Sequence, residues 1–235
     1  MLSYLLDPSL RWGDKKIRWG DNSSVMPAQA GIQSVRMKKN IQLYFTPETR
    51  AWITSFFYLE EVISTQTFVN QLPIPTPGQA QLCLAEAQTG GYGRQGRPWI
   101  APPGRSLALS LRFTTQKIIL GELSLVMGRA VVQALEYMGV AGIHLKWPND
   151  LYFQGAKLGG ILIETKPSCG TTVVTVGIGV NEHLLEAEKS LISQSVIDIW
   201  QIAPLVYQQP DFRPRWVAAV LNSVTQAWYQ FEEAV

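Results

Sequence analysis

The spacing of apolar residues predicts one long amphipathic helix in the middle of the chain and another near its end. From Leu123 to Met138, apolar side chains recur at intervals of three and four residues, and Gly139 follows as a helix stop. A similar stripe begins near Pro214 and extends to Trp228. Each helix therefore has one face that is suited to packing in a core.

Shorter apolar runs, several of them with alternating polar positions, predict strands around these helices. The predicted strands are 81–87, 106–113, 143–147, 157–164 and 171–181. Gln154-Gly155 favours a hairpin turn, and Ser64 or Thr65 is a suitable cap for a short helix. The chain is therefore rich in strands, with helices interleaved.

The first 50 residues differ from the rest of the chain in charge and in pattern. They contain 8 Lys and Arg against 4 Asp and Glu, whereas the remainder contains 12 against 14. Residues 23–33 show no hydrophobic period of helix or strand type. We therefore expect residues 1–50 to be a poorly ordered or non-native extension and residues 51–235 to be the folded domain.

The start of the coding sequence is a separate hypothesis. The tetrapeptide Arg11–Asp14 recurs as Arg18–Asp21, and Met37 is followed by two lysines. Met37 is therefore a candidate for the physiological start. A mass of the endogenous protein that includes residues 1–36 would contradict this hypothesis.

Composition and charge exclude several classes of protein. The chain has 235 residues, 46% hydrophobic and 16% charged, with a formal charge of +2, which is globular and too weakly basic for charge-driven binding of nucleic acid. Cys83 and Cys169 have no nearby Cys or clustered His, which excludes a disulfide scaffold and a zinc site. His144 and His183 lack the context of a hydrolase triad. We find no signal peptide or membrane span and expect a reducing, cytoplasmic location.

The glycine-rich segment 90–99 contains a formal match to the dinucleotide-binding pattern GxGxxG. Pro98 and Pro102 oppose the helix that this pattern requires next, which argues against a Rossmann site. A glycine loop carrying Arg94 and Arg97 can instead fold over an anionic ligand, because glycines allow close backbone approach and arginines give forked hydrogen bonds. An ordinary exposed loop is the alternative.

A second cluster of polar residues lies at the end of a predicted strand. Segment 146–150 brings a cation, an amide and a carboxylate together, and Lys157 begins the next strand. Lys146 and Lys157 suit the oxygens of a nucleotide phosphate, while Asp150 suits Mg²⁺. Asn181 ends the last strand, where it could bind ribose or phosphate or simply form a turn. Solvated surface charges are the alternative for each lysine.

Five ordered motifs together resemble those of the biotin protein ligases, over about residues 64–232. The motifs are Ser64–Gln66, Glu86–Trp99, Lys146–Leu151, Lys157–Leu162 and Gly177–Asn181. The resemblance implies an α+β domain of the class II aminoacyl-tRNA synthetase-like type, with a mixed β-sheet flanked by helices. It also implies an enzyme that joins biotin to ATP as biotinoyl-5′-AMP. The biotin then passes to a lysine of the biotin carboxyl carrier protein of acetyl-CoA carboxylase.

The resemblance assigns roles to residues of this chain. The catalytic residues would be Lys157, Arg94 and Lys146. Biotin would be bound by Ser64, Thr65, Gln66, Gln88, Gly91, Tyr92, Arg94 and Lys157. ATP would be bound by Arg94, Arg97, Trp99, Lys146, Asn149, Asp150 and Asn181, with Mg²⁺ on Asp150.

The chain also departs from the family pattern. Tyr92 and Gln95 stand where many relatives have arginine, so the loop has fewer cations. No pair of helices with a basic recognition face precedes Ser64, so we expect no DNA partner. We also expect the C-terminal β-barrel domain of the family to be absent and leave the oligomeric state open, with a homodimer as one alternative. The competing functions are a non-catalytic or truncated biotin or biotinoyl-AMP binding protein, and a lipoate or octanoate ligase.

Overall fold

A computed structural model describes residues 27–117 and 122–234 of the chain. The strands are β1 (Ile53–Val62), β2 (Ala80–Gln88), β3 (Ser106–Thr115), β4 (His144–Lys146), β5 (Asp150–Phe153), β6 (Ala156–Ser168) and β7 (Thr171–Asn181). The helices are α1 (Pro27–Leu43), α2 (Pro47–Trp52), α3 (Thr65–Gln71), α4 (Glu122–Tyr137), α5 (Glu186–Lys189), α6 (Ile199–Ile202), α7 (Pro204–Tyr207) and α8 (Phe212–Glu233).

The strands form one seven-stranded sheet in the order β1-β2-β3-β7-β6-β5-β4. β1 and β2 are parallel, whereas every other neighbouring pair is antiparallel. The sheet is therefore mixed and is flanked by helices, which confirms the predicted α+β class. β5 and β6 are joined by Gln154 and Gly155, both at positive φ, which is the two-residue hairpin turn expected there.

One face of the sheet packs against α4 and α8 to form the core. Leu107, Leu109 and Leu111 alternate along β3 and are buried beneath Met127 of α4 and other apolar residues, including Trp216 of α8. Burial of each such large apolar side chain stabilises the fold by about 1.5–3 kcal/mol. The opposite face carries α3, and Arg112 of β3 donates to backbone carbonyls near its end. This second face has the space for a ligand.

The described part of the predicted N-terminal extension is folded against the domain. Ile41 of α1 is fully buried in the core, with Phe45 beside it, and Trp52 of α2 stacks on Trp228 of α8 with ring centroids 6.4 Å apart. The structure thus differs from the expected poor order at residues 27–50. Both copies of the Arg-Trp-Gly-Asp repeat lie outside the described residues, and the start at Met37 stays a prediction.

Candidate functional site

A cavity of about 290 Å³ lies on the face of the sheet that α4 and α8 leave open. Its walls come from the start of α3, the glycine loop 90–99 and the β5–β6 hairpin. Of the residues predicted for the site, those that line it are Ser64, Thr65, Gln66, Gln88, Tyr92, Arg94, Arg97, Trp99, Asn149, Asp150, Lys157 and Asn181. The fold therefore brings motifs together that are far apart in sequence.

One end of the cavity is a buried layer of neutral polar side chains, which we call the polar floor. It consists of Ser64, Thr65, Gln66, Gln88 and Ser110, each no more than 8% exposed. The Thr65 N–H donates to Gln88 Oε1 over 2.8 Å, and the Thr65 and Ser110 hydroxyl oxygens lie 2.9 Å apart. Ser110 in turn donates to Gln66 Oε1 over 3.0 Å. These bonds satisfy groups that are costly to bury unpaired.

Local sequence explains how the polar floor is built. Ser64 caps α3, with its side chain accepting from the Thr67 N–H, so the first residues of α3 point at the sheet. Gly177 of β7 leaves room for this helix, because a Cβ there would lie 2.7 Å from Gln66 Oε1. Ser110 was not among the predicted site residues, although a serine within the apolar run 106–113 was a usable signal.

The other end of the cavity carries an ion pair. Lys157 Nζ lies 2.8 Å from Asp150 Oδ1, and the two side chains are only 16% and 26% exposed. The β5–β6 hairpin sets this geometry by pairing Asp150 with Gly160, where a Cβ would come 3.1 Å from the same carboxylate oxygen. The partly buried Lys157 ammonium is therefore fixed beside the space that a ligand would occupy.

Two asparagines predicted to bind nucleotide donate to the protein backbone. Asn149 Nδ2 donates to the Ile161 carbonyl over 2.7 Å, and Asn181 Nδ2 donates to the Ile197 carbonyl over 3.1 Å. Arg94, exposed at the mouth of the cavity, donates to Asn149 Oδ1 over 3.4 Å. The asparagines thus support the walls, and direct contact with a nucleotide stays a prediction.

Trp99 forms another wall by lying directly against β7 at Gly179. A Cβ at Gly179 would lie 2.6 Å from two atoms of the Trp99 indole, so only glycine allows this contact. The indole Nε1–H is buried without a partner in the described part of the chain.

Lys146 and Gly91 do not line the cavity. Lys146 is exposed on β4, with its Nζ 4.6 Å from the centroid of the Tyr152 ring. It therefore lies outside the cavity lining, and its catalytic role stays a prediction. Gly91 lies directly behind the wall, where its carbonyl accepts from the Trp99 N–H over 2.9 Å. Segment 192–196, which adds lining residues, was not predicted because its tie to the site is a backbone bridge to Lys157.

Tyr92 is an ionisable residue of the cavity wall. The Tyr92 hydroxyl donates to Glu164 Oε1 over 3.3 Å, and burial together with the Glu164 charge raises the pKa of Tyr92 above its ordinary value. Tyr92 therefore remains a neutral donor at physiological pH. Within residues 27–117 and 122–234, no group of three or more His, Cys, Asp or Glu side chains could hold a metal ion by itself.

The fold resembles that of solved biotin protein ligase structures. A solved structure of the biotin protein ligase from Aquifex aeolicus in complex with biotin and ATP matches with a TM-score of 0.60 and 29% identity, over 77% of this chain and 73% of that one. The enzyme from Leishmania major in complex with biotin has a TM-score of 0.61 at 24% identity, covering 74% and 73% of the two chains, and supports the fold alone. The predicted class II aminoacyl-tRNA synthetase-like fold is thereby confirmed.

Sequence comparison then gives the family. The model of the biotin/lipoate A/B protein ligase family matches residues 58–181, so the chain belongs to this family. The bifunctional ligase/repressor BirA of Escherichia coli is 37% identical over 121 residues, covering 50% of this chain and 37% of that protein. The biotin–[acetyl-CoA-carboxylase] ligase of Paracoccus denitrificans is 40% identical over 102 residues, covering 42% of each. The matches thus span less than half the length of these relatives.

Proposed function

We propose that this chain is an ATP-dependent biotin protein ligase, which forms biotinoyl-5′-AMP and transfers biotin to a lysine of a carrier protein. The observation that carries the proposal is the pairing of two environments in one cavity: a neutral polar floor and a partly buried lysine. Biotin has the matching chemistry, since its ureido ring is neutral and polar while its side chain ends in a carboxylate.

The polar floor favours biotin over lipoate or octanoate. A ureido group offers one carbonyl acceptor and two N–H donors, which the Thr65 and Ser110 hydroxyls and the Gln88 amide can pair. The dithiolane ring of lipoate and the chain of octanoate offer no comparable hydrogen bonds. Their binding would leave buried polar groups unpaired at a cost of about 1–3 kcal/mol for each group.

The cations of the site support the first chemical step. A biotin carboxylate oxygen attacks the α-phosphorus of ATP, forming the acyl–phosphate bond and releasing pyrophosphate. Two anions must approach each other, so Lys157 next to the carboxylate and Arg94 and Arg97 at the mouth would offset their repulsion. In the second step the carrier lysine amine attacks the acyl carbon and AMP leaves.

The residues of the site fit a Mg²⁺ ion only if the bound nucleotide supplies most of its ligands. Asp150 offers one carboxylate on the cavity wall, and Mg²⁺ is commonly held by one or two carboxylates together with substrate phosphates and water. Asp150 would hold the ion, which would neutralise charge on the phosphates. Lys157 would remain beside the same carboxylate.

The proposal also covers the carrier protein and the cellular location. A relative named biotin–[acetyl-CoA-carboxylase] ligase supports a carrier domain of acetyl-CoA carboxylase as partner. The absence of DNA and membrane partners, and a homodimer as one alternative, stay predictions. Cys83 and Cys169 are free thiols, which suits a reducing cytoplasm, and burial raises the pKa of Cys83 to about 12, so this thiol is inert. Among the described helices, none is long and apolar enough to cross a bilayer.

The proposal is tested by pyrophosphate release with biotin, ATP and Mg²⁺, followed by transfer to a purified carrier domain. Lipoate and octanoate replace biotin in parallel reactions. We expect release with biotin alone, and then labelling of one carrier lysine. Biotin binding without release would favour the non-catalytic binding protein, and release with lipoate or octanoate instead of biotin would favour the other ligase class.

A further inference from the structure

Glu164 of β6 lies behind the polar floor, where three side-chain donors converge on its carboxylate. Gln66 Nε2 and Asn70 Nδ2 each donate over 3.1 Å to Oε2, and the Tyr92 hydroxyl donates over 3.3 Å to Oε1. Glu164 does not line the cavity, and in the described part of the chain no Lys or Arg forms an ion pair with it. Its three donors are all neutral.

The Glu164 carboxylate dictates which way the Gln66 amide faces. A carboxylate accepts hydrogen bonds but does not donate them, so Gln66 must turn its Nε2 toward Glu164. The second Nε2 hydrogen then points to the Thr175 carbonyl, 3.4 Å away, and Oε1 is left facing Ser110. If the Gln66 amide were flipped, its Oε1 would face the Glu164 carboxylate, and two acceptors would lie against each other.

This orientation propagates along the polar floor. Since Gln66 Oε1 can only accept, the single proton of Ser110 is committed to it, so Ser110 cannot donate to Thr65. The Thr65 hydroxyl proton then goes to the Ser110 oxygen or to Gln88 Oε1, which lies 3.1 Å away. Thr65 Oγ1 therefore keeps its lone pairs for a ligand. Gln88 Oε1 accepts from the Thr65 N–H, so Gln88 Nε2 remains available as a donor.

We propose that Glu164 is a positioning residue that sets the direction of the hydrogen bonds in the polar floor, through Gln66, so that Thr65 accepts from the ligand ring and Gln88 donates to it. The inference rests on the proposed function for the identity of the ligand, because a ureido ring needs an acceptor for N–H and a donor for its carbonyl. Glu164 touches no reacting atom, so its influence falls on binding and not on the chemical step.

The test compares Glu164→Gln with Asn70→Ala by calorimetric titration with biotin and by adenylation kinetics. The carboxamide of Glu164→Gln can donate, which allows Gln66 to face either way. We expect the affinity for biotin to fall roughly five- to thirty-fold, while kcat at saturating biotin stays within about threefold. Asn70→Ala removes another donor to the same carboxylate but leaves Gln66 in place, so affinity should stay within about twofold. Equal effects in the two variants would overturn the proposal.

A double variant tests whether Glu164 acts along this path. Glu164 and Ser110 share no hydrogen bond, and Gln66 lies between them. If Glu164 acts through Gln66 on Ser110, the loss of biotin affinity in Glu164→Gln with Ser110→Ala should be smaller than the product of the two single losses. Multiplicative losses would overturn the proposal.

A readout without biotin separates this inference from the proposed function. The side-chain amide resonances of Gln66 in the free protein should shift in Glu164→Gln and stay in place in Asn70→Ala. Unchanged Gln66 resonances in Glu164→Gln would overturn the positioning role. A native protein that binds no biotin would instead overturn the proposed function, and the resonances would still decide the orientation of Gln66.

Discussion

The Lys157–Asp150 pair is the part of the cavity that is best placed to meet a carboxylate. Both side chains are partly buried and 2.8 Å apart, so the Lys157 ammonium is already oriented before any ligand enters. A second anion can share this ammonium because it has three donor hydrogens. The entropy loss of ordering the long Lys157 side chain therefore already occurs in the free protein, which increases the affinity for a carboxylate ligand.

Replacement of Lys157 by alanine should abolish detectable adenylate formation while leaving the fold intact. The biotin carboxylate would then lose the ammonium group beside it, so the repulsion between the carboxylate and the phosphates would no longer be offset there. We expect biotin-dependent pyrophosphate release to fall by at least about a hundredfold. Lys166→Ala, an exposed position on the same strand, is the matched control and should retain near-native release. Undiminished release by Lys157→Ala would refute the role.

The side chains of the site were predictable to different degrees. Lys157 and Asp150 were found because charged residues stood next to glycines and strand ends. Ser110 and Glu164 were missed because their roles depend on partners from other strands and α3, which no local pattern reveals. Lys146 is exposed beside the Tyr152 ring and does not line the cavity, so its catalytic role stays a prediction.

The glycines of β7 give this strand its role in the cavity. Gly177 and Gly179 alternate with buried Val176 and Ile178, so the face toward the helices is apolar and the other face is bare backbone. The bare face is what allows Gln66 and the Trp99 indole to lie directly on the sheet. The strand therefore serves the core and the site at once.

Gly179→Ala should destabilise the protein because its Cβ would overlap the Trp99 ring at 2.6 Å. Inserting a methyl group into such a contact costs about 1–3 kcal/mol of unfolding free energy, measurable by urea denaturation. In a Trp99→Ala background the same substitution should cost less than about 0.5 kcal/mol, because the overlapping ring is gone. An equal cost in both backgrounds would show that Trp99 is not the obstacle.

Helices and strands with a clear period were predicted closely, and those without one were not. The helix predicted from Leu123 and the strand 171–181 agree with α4 and β7. α1 was missed because, among its residues 35–43, only Ile41 is buried in the core, so the apolar stripe there is too short to show a period. Tertiary contacts with α8 and β1 supply what the local sequence of α1 lacks.

A buried charge cluster ties distant parts of the molecule together at the side of the sheet where α8 begins. Arg213 of α8 forms ion pairs with Glu182, which follows β7, and with Glu86 of β2, at 3.1 Å in the latter case. Tyr58 of β1 donates to the same Glu86. Burial raises the pKa of Glu182 to about 7, although the Arg213 charge opposes this rise and the Glu86 charge adds to it. One guanidinium thus offsets two carboxylates.

The raised pKa of Glu182 fixes the sign of its effect on stability. An acid whose pKa is higher in the folded than in the unfolded state takes up a proton on folding. Its contribution is complete below the ordinary value of 4.5 and is lost as the pH rises through about 7. Removing Arg213 would raise the pKa of Glu182 further, since the opposing positive charge is gone.

Arg213→Met should therefore lower the unfolding free energy by about 3–5 kcal/mol near pH 8, where the buried Glu182 and the partly buried Glu86 carboxylates are left without a cation. The loss should shrink by roughly half or more near pH 5, because a buried carboxyl then carries a proton and needs no counter-charge. Urea denaturation at several pH values measures both quantities. Arg215→Met is the matched control, since its 3.8 Å pair with Asp211 is exposed on the same helix, and it should cost no more than about 0.5 kcal/mol at any pH. A cost for Arg213→Met that does not change with pH would mean that the cluster keeps its charges when the cation is removed.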